Sequence, residues 1–305
     1  MPLVLATCQL ATTSDVRVNA ARVVALVRRA AARGAHLAHF PEACISGYAG
    51  ADVASHAGTD WALVAEGLRA VADAARRHRT WVVVGSAHRL TPPHKPHNSL
   101  YVLDDRGVLV DRYDKRFCAG DRHGRTGDLA HYTPGDRLVT FDVRGVRCGL
   151  QVCHDFRYPE LYRAYGRRGV SLMLHSFHAG AIPPARYAAM RRGVGATGAR
   201  LSGGATLPAI TMRAGMITAA ADNHVWISCP NSSARRSCWP SFVVRPDGVV
   251  TGRLRPDRAG VLLTTIDPAA PYYDSTAAWR GRAVAGRLHS GRLVVDPRSA
   301  PTTAP

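Results

Sequence analysis

The sequence contains little lysine, no long apolar run and no basic segment at its start. Two of the 40 basic residues in its 305 positions are lysines, Lys95 and Lys115, and the rest are arginines. No window approaches the roughly 18 consecutive apolar residues of a transmembrane helix. No positive charge precedes Arg17, whereas a secretory signal peptide opens with a basic segment. We therefore expect a soluble cytoplasmic protein without a membrane partner.

The net charge of +18 is large, but the clustered charge of a nucleic-acid-binding surface is missing. The arginines occur singly or in pairs and build no run of about five like charges. Aromatic residues do not interleave with them, and no Cys/His finger spacing is present. This pattern favours a dispersed, solvated arginine surface, so nucleic acid is not expected as a partner.

Metal-binding and disulfide motifs are also missing. The seven cysteines are odd in number and form no C-x-x-C pair, which favours free thiols in a reducing compartment. No H-E-x-x-H motif occurs, so neither a metal nor another cofactor is expected. Residues 193–198 spell G-x-G-x-x-G without a preceding strand or a following helix. We therefore predict a flexible glycine loop there rather than a dinucleotide site.

Short apolar runs alternate with amphipathic segments along the first 267 residues. Apolar positions spaced by three and four predict a helix that begins at a Ser14 or Asp15 cap and ends at Gly34. The alternation predicts a layered α/β domain over residues 1–267, followed by a C-terminal arm at 268–305 with a frayed end. Further helices are predicted from 59, from 159 and over 210–223, and strands at 3–10, 36–40, 81–84, 100–103, 108–110, 138–143, 146–152, 170–174, 225–228, 242–244, 249–250 and 261–266.

Cys153 differs from the other cysteines in its position. It follows the predicted strand 146–152, and proline at 159 suits the first turn of a helix, so Cys153 lies in a strand-to-helix turn at the sheet edge. The N–H groups of a helix start favour negative charge, which lowers the pKa of a thiol. We predict that Cys153 is a nucleophile and that the other six cysteines are small buried hydrophobic residues.

Glu42 and Lys115 are candidate partners for this thiol. Glu42 follows Phe40 and Pro41 at the end of a predicted strand, where desolvation would favour a proton on the carboxylate and suit it to general-base work. The alternative is an ordinary surface-loop glutamate. An arginine-rich chain that keeps an amine at Lys115 favours a need for a compact, tunable charge. The alternative is a solvated ion pair of Lys115 with Asp111 or Asp114.

The segments around these three residues resemble, in order, the nitrilase superfamily of carbon–nitrogen hydrolases. The resemblance implies an α/β fold, a four-layer αββα sandwich, assembly as homodimers or larger homo-oligomers, and an arm at 268–305 that packs on a partner subunit. It also implies a Glu–Lys–Cys triad formed by Glu42, Lys115 and Cys153. The segments that carry the resemblance are ARGAHLAHFPEACISGY, DRYDKRF, HYTPG, CGLQVCHDFRYPE, ADNHVWISCPN and SFVVRPDGVV.

The resemblance further implies a mechanism. Glu42 takes the thiol proton, Cys153 attacks an amide or nitrile carbon, and Lys115 with the backbone N–H of His154 holds the oxyanion. Water activated by Glu42 then hydrolyses the thioester. The segment CHDFRYPE is more similar to the amidase and N-carbamoyl amide hydrolase branches than to true nitrilases with a C-W-E-N turn. We expect hydrolysis of a small amide or N-carbamoyl compound. Nitrile hydrolysis, acyl transfer and a non-catalytic basic binding module remain alternatives.

Several positions depart from the family pattern or leave their function open. The family often has a second glutamate seven residues before the glycine of its PG pair, and Asp128 stands there. His154 replaces a more common tyrosine, tryptophan or asparagine. By the resemblance His175 and His178 line the pocket, the alternative being ordinary polar residues at a strand end. Arg157 is either a clamp for a substrate carboxylate or a structural partner of Asp155 or Glu160. Residues 181–210 are interpreted as an insertion that could form a lid.

Overall fold

The computed structural model describes residues 2–299, which form two six-stranded sheets and their covering helices. The elements are β1 (Leu3–Gln9), α1 (Val16–Ala31), β2 (Leu37–His39), α2 (Trp61–His78), β3 (Trp81–His88), β4 (His97–Leu103), β5 (Leu109–Asp114), β6 (Thr140–Val143), β7 (Val146–Val152), α3 (Pro159–Gly166), β8 (Leu172–Ser176), α4 (Pro184–Ser202), α5 (Leu207–Asn223), β9 (Trp226–Cys229), β10 (Phe242–Val244), β11 (Val250–Arg253), β12 (Gly260–Ile266) and α6 (Arg280–Val284). Short 3₁₀ helices span Gly127–Ala130, Cys153–Arg157 and Pro297–Ser299.

Both sheets are mixed, and in each of them three parallel strands lie between antiparallel strands. The first runs β12-β1-β2-β3-β4-β5, and the second runs β11-β10-β9-β8-β7-β6. Strands β1, β2 and β3 are parallel to one another, as are β7, β8 and β9, and the flanking pairs are antiparallel. Ligands of such sheets bind outside the carboxyl ends of the parallel strands. The segments that follow β2, β7 and β8 are therefore the expected site.

Three apolar clusters hold the helices and the two sheets together in four layers. One cluster joins the first sheet to α1 and α2, a second lies between the sheets, and a third joins the second sheet to α3 and α5. Leu5, Leu100, Leu150 and Leu174 lie in the central cluster and are fully buried. One face of each sheet thus packs on the other sheet, and the opposite face packs on helices. The predicted αββα sandwich is confirmed.

The first helix forms as its sequence pattern predicts. The Asp15 carboxylate accepts hydrogen bonds from the N–H groups of Arg17 and Val18, which caps α1. Val23 and Val27 are fully buried on its inner face, and Gly34 follows with a φ of 81°. Helix α5 begins at Leu207, three residues earlier than predicted, because the Thr206 hydroxyl accepts from the N–H of Ala209.

The predicted flexible loop at 193–198 is wrong. These residues lie within α4, and only Gly195, with φ 69° and ψ 168°, departs from helical geometry. Alanine-rich flanks favour a helix more strongly than the glycines oppose it. No residue of α4 is buried. The segment 181–210 therefore contains the exposed, kinked helix α4 and the first turn of α5, and its function as a lid remains a prediction.

A buried chain of hydrogen bonds links the two sheets beside the segment that follows β2. The Ser176 hydroxyl donates to the Phe40 carbonyl at 2.8 Å, so it accepts from His39 Nε2 at 2.8 Å. His39 Nδ1 then accepts from the Ser228 hydroxyl at 2.9 Å, and Ser228 accepts from Thr7 at 2.7 Å. Burial holds the pKa of His39 well below its usual range, so the ring is neutral. This chain fixes the exit of β2.

Residues 268–299 run over the surface. The Tyr272 ring contacts Trp226 edge-on at 5.4 Å, whereas Leu288, Val294 and Val295 are strongly exposed. The predicted frayed end lies mostly outside the described residues. Among residues 2–299, no helix has the length and apolar character needed to span a membrane.

The second sheet leaves no room for a side chain at Gly149, which generates a stability prediction. A Cβ there would lie 2.7 Å from Tyr165 Cδ1 and 2.8 Å from Met173 Sδ. Gly149→Ala should therefore lower the free energy of unfolding by about 1–3 kcal/mol, measured by urea denaturation. A Cβ at Gly166 meets nothing within 4 Å, so Gly166→Ala should be neutral or slightly stabilising. Equal stability of the two variants would contradict the packing described.

Candidate active site

Three strand ends bring Glu42, Lys115 and Cys153 together. Glu42 follows β2, Lys115 directly follows β5, and Cys153 directly follows β7. Strand β5 is antiparallel to β4, which is antiparallel to β3, so β5 runs in the same direction as β2. The first sheet therefore supplies the carboxylate and the amine at one edge, and the second sheet supplies the thiol.

Glu42 is fully buried and held by both sheets. Its Oε1 accepts from Asn98 Nδ2 at 2.7 Å and from Lys115 Nζ at 2.8 Å. Its backbone N–H donates to the carbonyl of Phe177, beyond β8, at 3.3 Å. A Cβ at Gly85 would lie 2.4 Å from the Pro41 carbonyl oxygen, so β3 needs glycine to approach this segment. The alternative of a surface-loop glutamate is wrong.

Lys115 is fully buried between two carboxylates. Its Nζ lies 2.8 Å from Glu42 Oε1 and 2.6 Å from Asp128 Oδ2. Its backbone N–H donates to the Asn98 carbonyl at 2.8 Å, and its carbonyl accepts from the Gly135 N–H at 2.9 Å. Burial alone would lower the pKa of the ammonium, but the negative charges around it outweigh burial and raise that pKa well above its usual value. Lys115 is therefore charged.

The alternative partners of Lys115 are bound elsewhere. Asp114 pairs with Arg112 at 2.7 Å, and Asp111 pairs with Arg137. Asp128 instead reaches the ammonium, although it is one methylene shorter than glutamate. It lies in the 3₁₀ helix Gly127–Ala130, and its Oδ2 also accepts from the Ala119 N–H at 3.0 Å. Burial raises the pKa of Asp128, but Lys115 and the hydrogen bonds lower it further, so the net pKa lies below its usual value.

Cys153 begins the 3₁₀ helix after β7 in a strained backbone conformation. Its φ is 44°, in the left-handed region that side chains rarely adopt. Burial and the Glu42 carboxylate raise the pKa of the thiol well above its usual value, so the sulfur is protonated at rest. Glu42 Oε2 is buried and accepts no hydrogen bond from a nitrogen or hydroxyl group within residues 2–299. A hydrogen bond between the thiol and Glu42 also raises the pKa of Cys153, so this carboxylate is suited to accept the thiol proton.

Asp155 ties the Cys153 turn to the Lys115 loop. It is fully buried, and its Oδ2 accepts from the Tyr113 hydroxyl at 2.7 Å and from the Val152 N–H at 2.9 Å. Its Oδ1 accepts from the Phe117 N–H at 2.8 Å. The carboxylate therefore fixes backbone on both sides of the site. Burial raises the pKa of Asp155 above its usual value.

His175 lies behind the Cys153 backbone. Its Nε2 donates to the Cys153 carbonyl at 3.1 Å, so its Nδ1 accepts from the Tyr162 hydroxyl at 2.8 Å. Its ring stacks on Phe177 at 4.5 Å. Burial lowers the pKa of His175 to about 3, which keeps the imidazole neutral. The residue supports the turn that presents the thiol.

His178 forms a separate buried pair with Asp52. Its Nε2 lies 2.8 Å from Asp52 Oδ2, and its ring stacks on Tyr48 at 5.0 Å. The Tyr48 hydroxyl donates to Asp128, the second carboxylate on Lys115. Burial lowers the pKa of His178, but Asp52 more than compensates and raises the net pKa above 6.5.

His154 and Arg157 lie on the outer side of the Cys153 turn. His154 is half-buried and contacts Tyr158 edge-on at 5.8 Å. Arg157 is exposed, with its guanidinium 4.4 Å from the centre of the Phe156 ring, and it donates to the Thr211 hydroxyl at 3.1 Å. In the described part of the chain it forms no ion pair, so the predicted structural pair with Asp155 or Glu160 is wrong.

The other cysteines divide into two groups. Cys8, Cys44, Cys148 and Cys229 are buried as predicted. Cys118 and Cys238 are only half-buried, so the prediction is wrong for these two, which lie in loops rather than in strands. All seven thiols are free. Between residues 2 and 299, no group of three His, Cys, Asp or Glu side chains is arranged to hold a metal ion.

Sequence reasoning missed four residues that shape the site. Asn98 binds Glu42, and Asp155 binds the backbone N–H of Val152 next to Cys153. Tyr48 and Asp52 connect His178 to Asp128. Asp155 and Tyr48 lie inside segments that carried the family resemblance, and this position in the sequence could have pointed to them. Asn98 and Asp52 lie outside those segments, and nothing local distinguished them.

The His178–Asp52 pair should make stability depend on pH. Because its folded pKa is raised above 6.5, His178 stabilises the fold below that pH, and this contribution is lost as pH rises through the folded pKa. The unfolding free energy of the wild type minus that of His178→Gln should therefore fall as the pH rises from 6.5 through the folded pKa of His178. Urea denaturation at a series of pH values measures this difference. Burial lowers the pKa of His154, so His154→Gln should give a difference of opposite slope. Parallel curves for His178→Gln and the wild type would contradict the pairing.

The chain is similar to known proteins over most of its length. The model of the Carbon-nitrogen hydrolase family matches residues 4–272. Deaminated glutathione amidase of Yersinia enterocolitica is 33% identical over 109 residues, which cover 34% of this chain and 38% of that protein. Human omega-amidase NIT2 is 28% identical over 174 residues, which cover 56% and 62%. The chain thus spans less than two thirds of the length of these curated relatives.

Solved structures show the same fold. An amidase of the nitrilase superfamily from Nesterenkonia AN1 has a TM-score of 0.67 at 21% identity, covering 87% of this chain and 90% of that one. Another structure of an amidase from Nesterenkonia sp. has a TM-score of 0.70 at 20% identity, covering 94% and 96%. The fold, the order of the motif segments and the match over residues 4–272 agree: the chain belongs to the carbon-nitrogen hydrolase family.

Proposed function

We propose that the protein hydrolyses the C–N bond of a small amide or N-carbamoyl compound through a thioester on Cys153. The observation that carries the proposal is the buried Glu42 carboxylate, which uses one oxygen on Lys115 and keeps the other free for a protonated thiol. Relatives named as amidases support the same reaction class. Glu42, Lys115 and Cys153 would be the catalytic residues.

The first step forms the carbon–sulfur bond. Glu42 Oε2 takes the Sγ proton as the sulfur attacks the carbonyl carbon, and the π electrons of the carbonyl move to its oxygen. Lys115 Nζ and the His154 N–H would hold that oxyanion, because the first N–H groups of a helix lack intrahelical acceptors. Protonation of Glu42 removes one negative charge beside Lys115 just as the oxyanion adds one. The charge of the buried site therefore stays balanced.

The second half-reaction returns the enzyme to its starting state. The tetrahedral adduct collapses, the C–N bond breaks, and Glu42 gives its proton to the departing ammonia or amine. Glu42 then takes a proton from water, whose oxygen attacks the thioester carbon. As the C–S bond breaks and releases the acid, Glu42 gives this proton to the sulfur, which restores the thiol and the carboxylate. Asp128 would hold Lys115 in place throughout, since its carboxylate lies 2.6 Å from the ammonium.

Residues at the outer side of the site would select the substrate. Arg157 forms no ion pair within residues 2–299, which leaves its guanidinium available to clamp a substrate carboxylate. His154 is half-buried beside Cys153 and would line the pocket with it. His175 would line the pocket behind Cys153, and His178 would line it behind the Glu42 segment. An amide that carries a carboxylate is the substrate class these groups favour.

The assembly and location are further parts of the proposal. We propose a homodimer or larger homo-oligomer, in which the arm at 268–305 leaves the domain of residues 1–267 and packs on a partner subunit. The exposed Leu288, Val294 and Val295 support this, because a partner would cover them. Seven free thiols support a reducing cytoplasmic location.

Ammonia release from a panel of ω-amides, N-carbamoyl amino acids and nitriles tests the reaction. The wild type should release ammonia from at least one amide or carbamoyl compound. Cys153→Ala should lose turnover by about a thousandfold or more with an unchanged unfolding transition, because the sulfur that would form the thioester is removed. Cys118→Ala, which removes another half-buried thiol, should retain activity. Turnover by Cys153→Ala, or activity on nitriles alone, would contradict the proposal.

Covalent labelling identifies the nucleophile independently of the natural substrate. A Nesterenkonia sp. AN1 amidase variant shows the acetamide moiety of fluoroacetamide added to its active-site cysteine. That variant carries glutamine in place of a glutamate. Incubation of the Glu42→Gln variant of this protein, in which amide turnover should be blocked, with fluoroacetamide should add the same moiety to Cys153, with loss of fluoride, and peptide mass spectrometry should find Cys118 unmodified. Labelling of Cys118 with Cys153 untouched would overturn the assignment.

A further inference from the structure

A cavity lies on the outer face of the second sheet. It has a volume of about 540 Å³, within the range of pockets that hold small organic ligands. Helix α5, the turn at 203–205, the loop at 238–240 and strands β10 and β11 line it. Glu42, Lys115 and Cys153 are not among its lining residues, so the cavity is separate from the proposed catalytic centre.

The cavity carries positive charge without a matching negative charge. Arg213 and Arg253 line it, and no acidic residue does. Arg213 Nη2 lies 3.4 Å from the Ser202 carbonyl, and neither guanidinium pairs with a carboxylate in the described chain. Arg186 on α4 adds a third positive charge that acts on the Cys238 thiol. Two unpaired guanidiniums at one cavity attract an anion, and a carboxylate matches their planar geometry.

The remaining lining is mostly apolar. Phe242, Ile217 and Val250 contribute hydrocarbon surface that an apolar group could cover. Trp239 also lines the cavity and adds aromatic surface. The lining therefore favours a molecule with an anionic end and an apolar body.

We propose that this cavity binds a small organic carboxylate with an aromatic or aliphatic body. The carboxylate would pair with Arg253 and Arg213, and the body would lie against Phe242, Ile217 and Val250. This is a binding site in addition to the proposed catalytic centre, and it does not depend on the reaction proposed there.

Calorimetry with 4-phenylbutyrate, 4-phenylbutan-1-ol and inorganic phosphate tests the proposal on the full chain. Arg253→Gln is the informative variant, because Arg253 is exposed and has no ion pair to lose. It should weaken 4-phenylbutyrate binding about tenfold, the value of one lost charge-assisted contact. Arg69→Gln, an exposed arginine on α2, should bind as the wild type does. The neutral alcohol should bind at least about tenfold more weakly than the acid.

Protection of the Cys238 thiol from alkylation shows whether the ligand binds in this cavity. This half-buried thiol lines the cavity, and Cys118 is a half-buried thiol outside it. Saturating 4-phenylbutyrate should slow alkylation of Cys238 by N-ethylmaleimide, followed by peptide mass spectrometry, and leave the rate at Cys118 unchanged. Four results would each overturn the proposal: no binding at millimolar concentration, equal affinity in Arg253→Gln, equal affinity for the alcohol or for phosphate, or unprotected Cys238.

Discussion

The ion cluster of Glu42, Lys115 and Asp128 is the interaction on which the rest of the structure depends. The ammonium lies within 2.8 Å of both carboxylates, and all three groups are buried. Charges removed from water are costly unless they are paired and hydrogen-bonded. Asn98, Tyr48 and the Ala119 N–H supply those additional hydrogen bonds. Among the carboxylate oxygens of this cluster, Glu42 Oε2 receives none of these bonds, and it is the atom that the proposed chemistry requires.

The αββα architecture makes this cluster possible, because it stacks two sheets whose loops meet at one end. The chain of His39, Ser176 and Ser228 fixes the exit of β2, and Gly85 lets β3 approach the Glu42 segment closely. Asp155 and His175 hold the backbone of Cys153 from two sides. A cysteine keeps a backbone conformation in the left-handed region only when the surrounding contacts hold it there. The proposed nucleophile is thus placed by the packing of both sheets.

Much of the fold and of the candidate site could be predicted from the sequence, for identifiable reasons. Helix α1 and the buried strands are encoded by spacing within a few residues, and Glu42 and Cys153 each stand just after a predicted strand. Lys115 stands five residues beyond the predicted strand at 108–110, which the structure extends to Asp114. Asn98 and Asp52 could not be predicted, because their contacts join segments more than 50 residues apart, as Asn98 and Glu42 illustrate at a separation of 56. The loop predicted at 193–198 was wrong because glycine spacing was weighted above the alanine-rich flanks. The family assignment and the four-layer sandwich are confirmed, since the resemblance rested on several segments in order.

Unfolding free energies of Lys115→Met and of Lys115→Met combined with Glu42→Gln test the buried charge balance most directly. If the ammonium compensates two buried carboxylates, the single variant should lose about 3–5 kcal/mol. The double variant should recover part of that loss, because it removes one of the stranded charges while the glutamine can still accept from Asn98. A loss below about 1 kcal/mol in the single variant, as for an exposed ion pair, or a further loss in the double variant, would contradict the account.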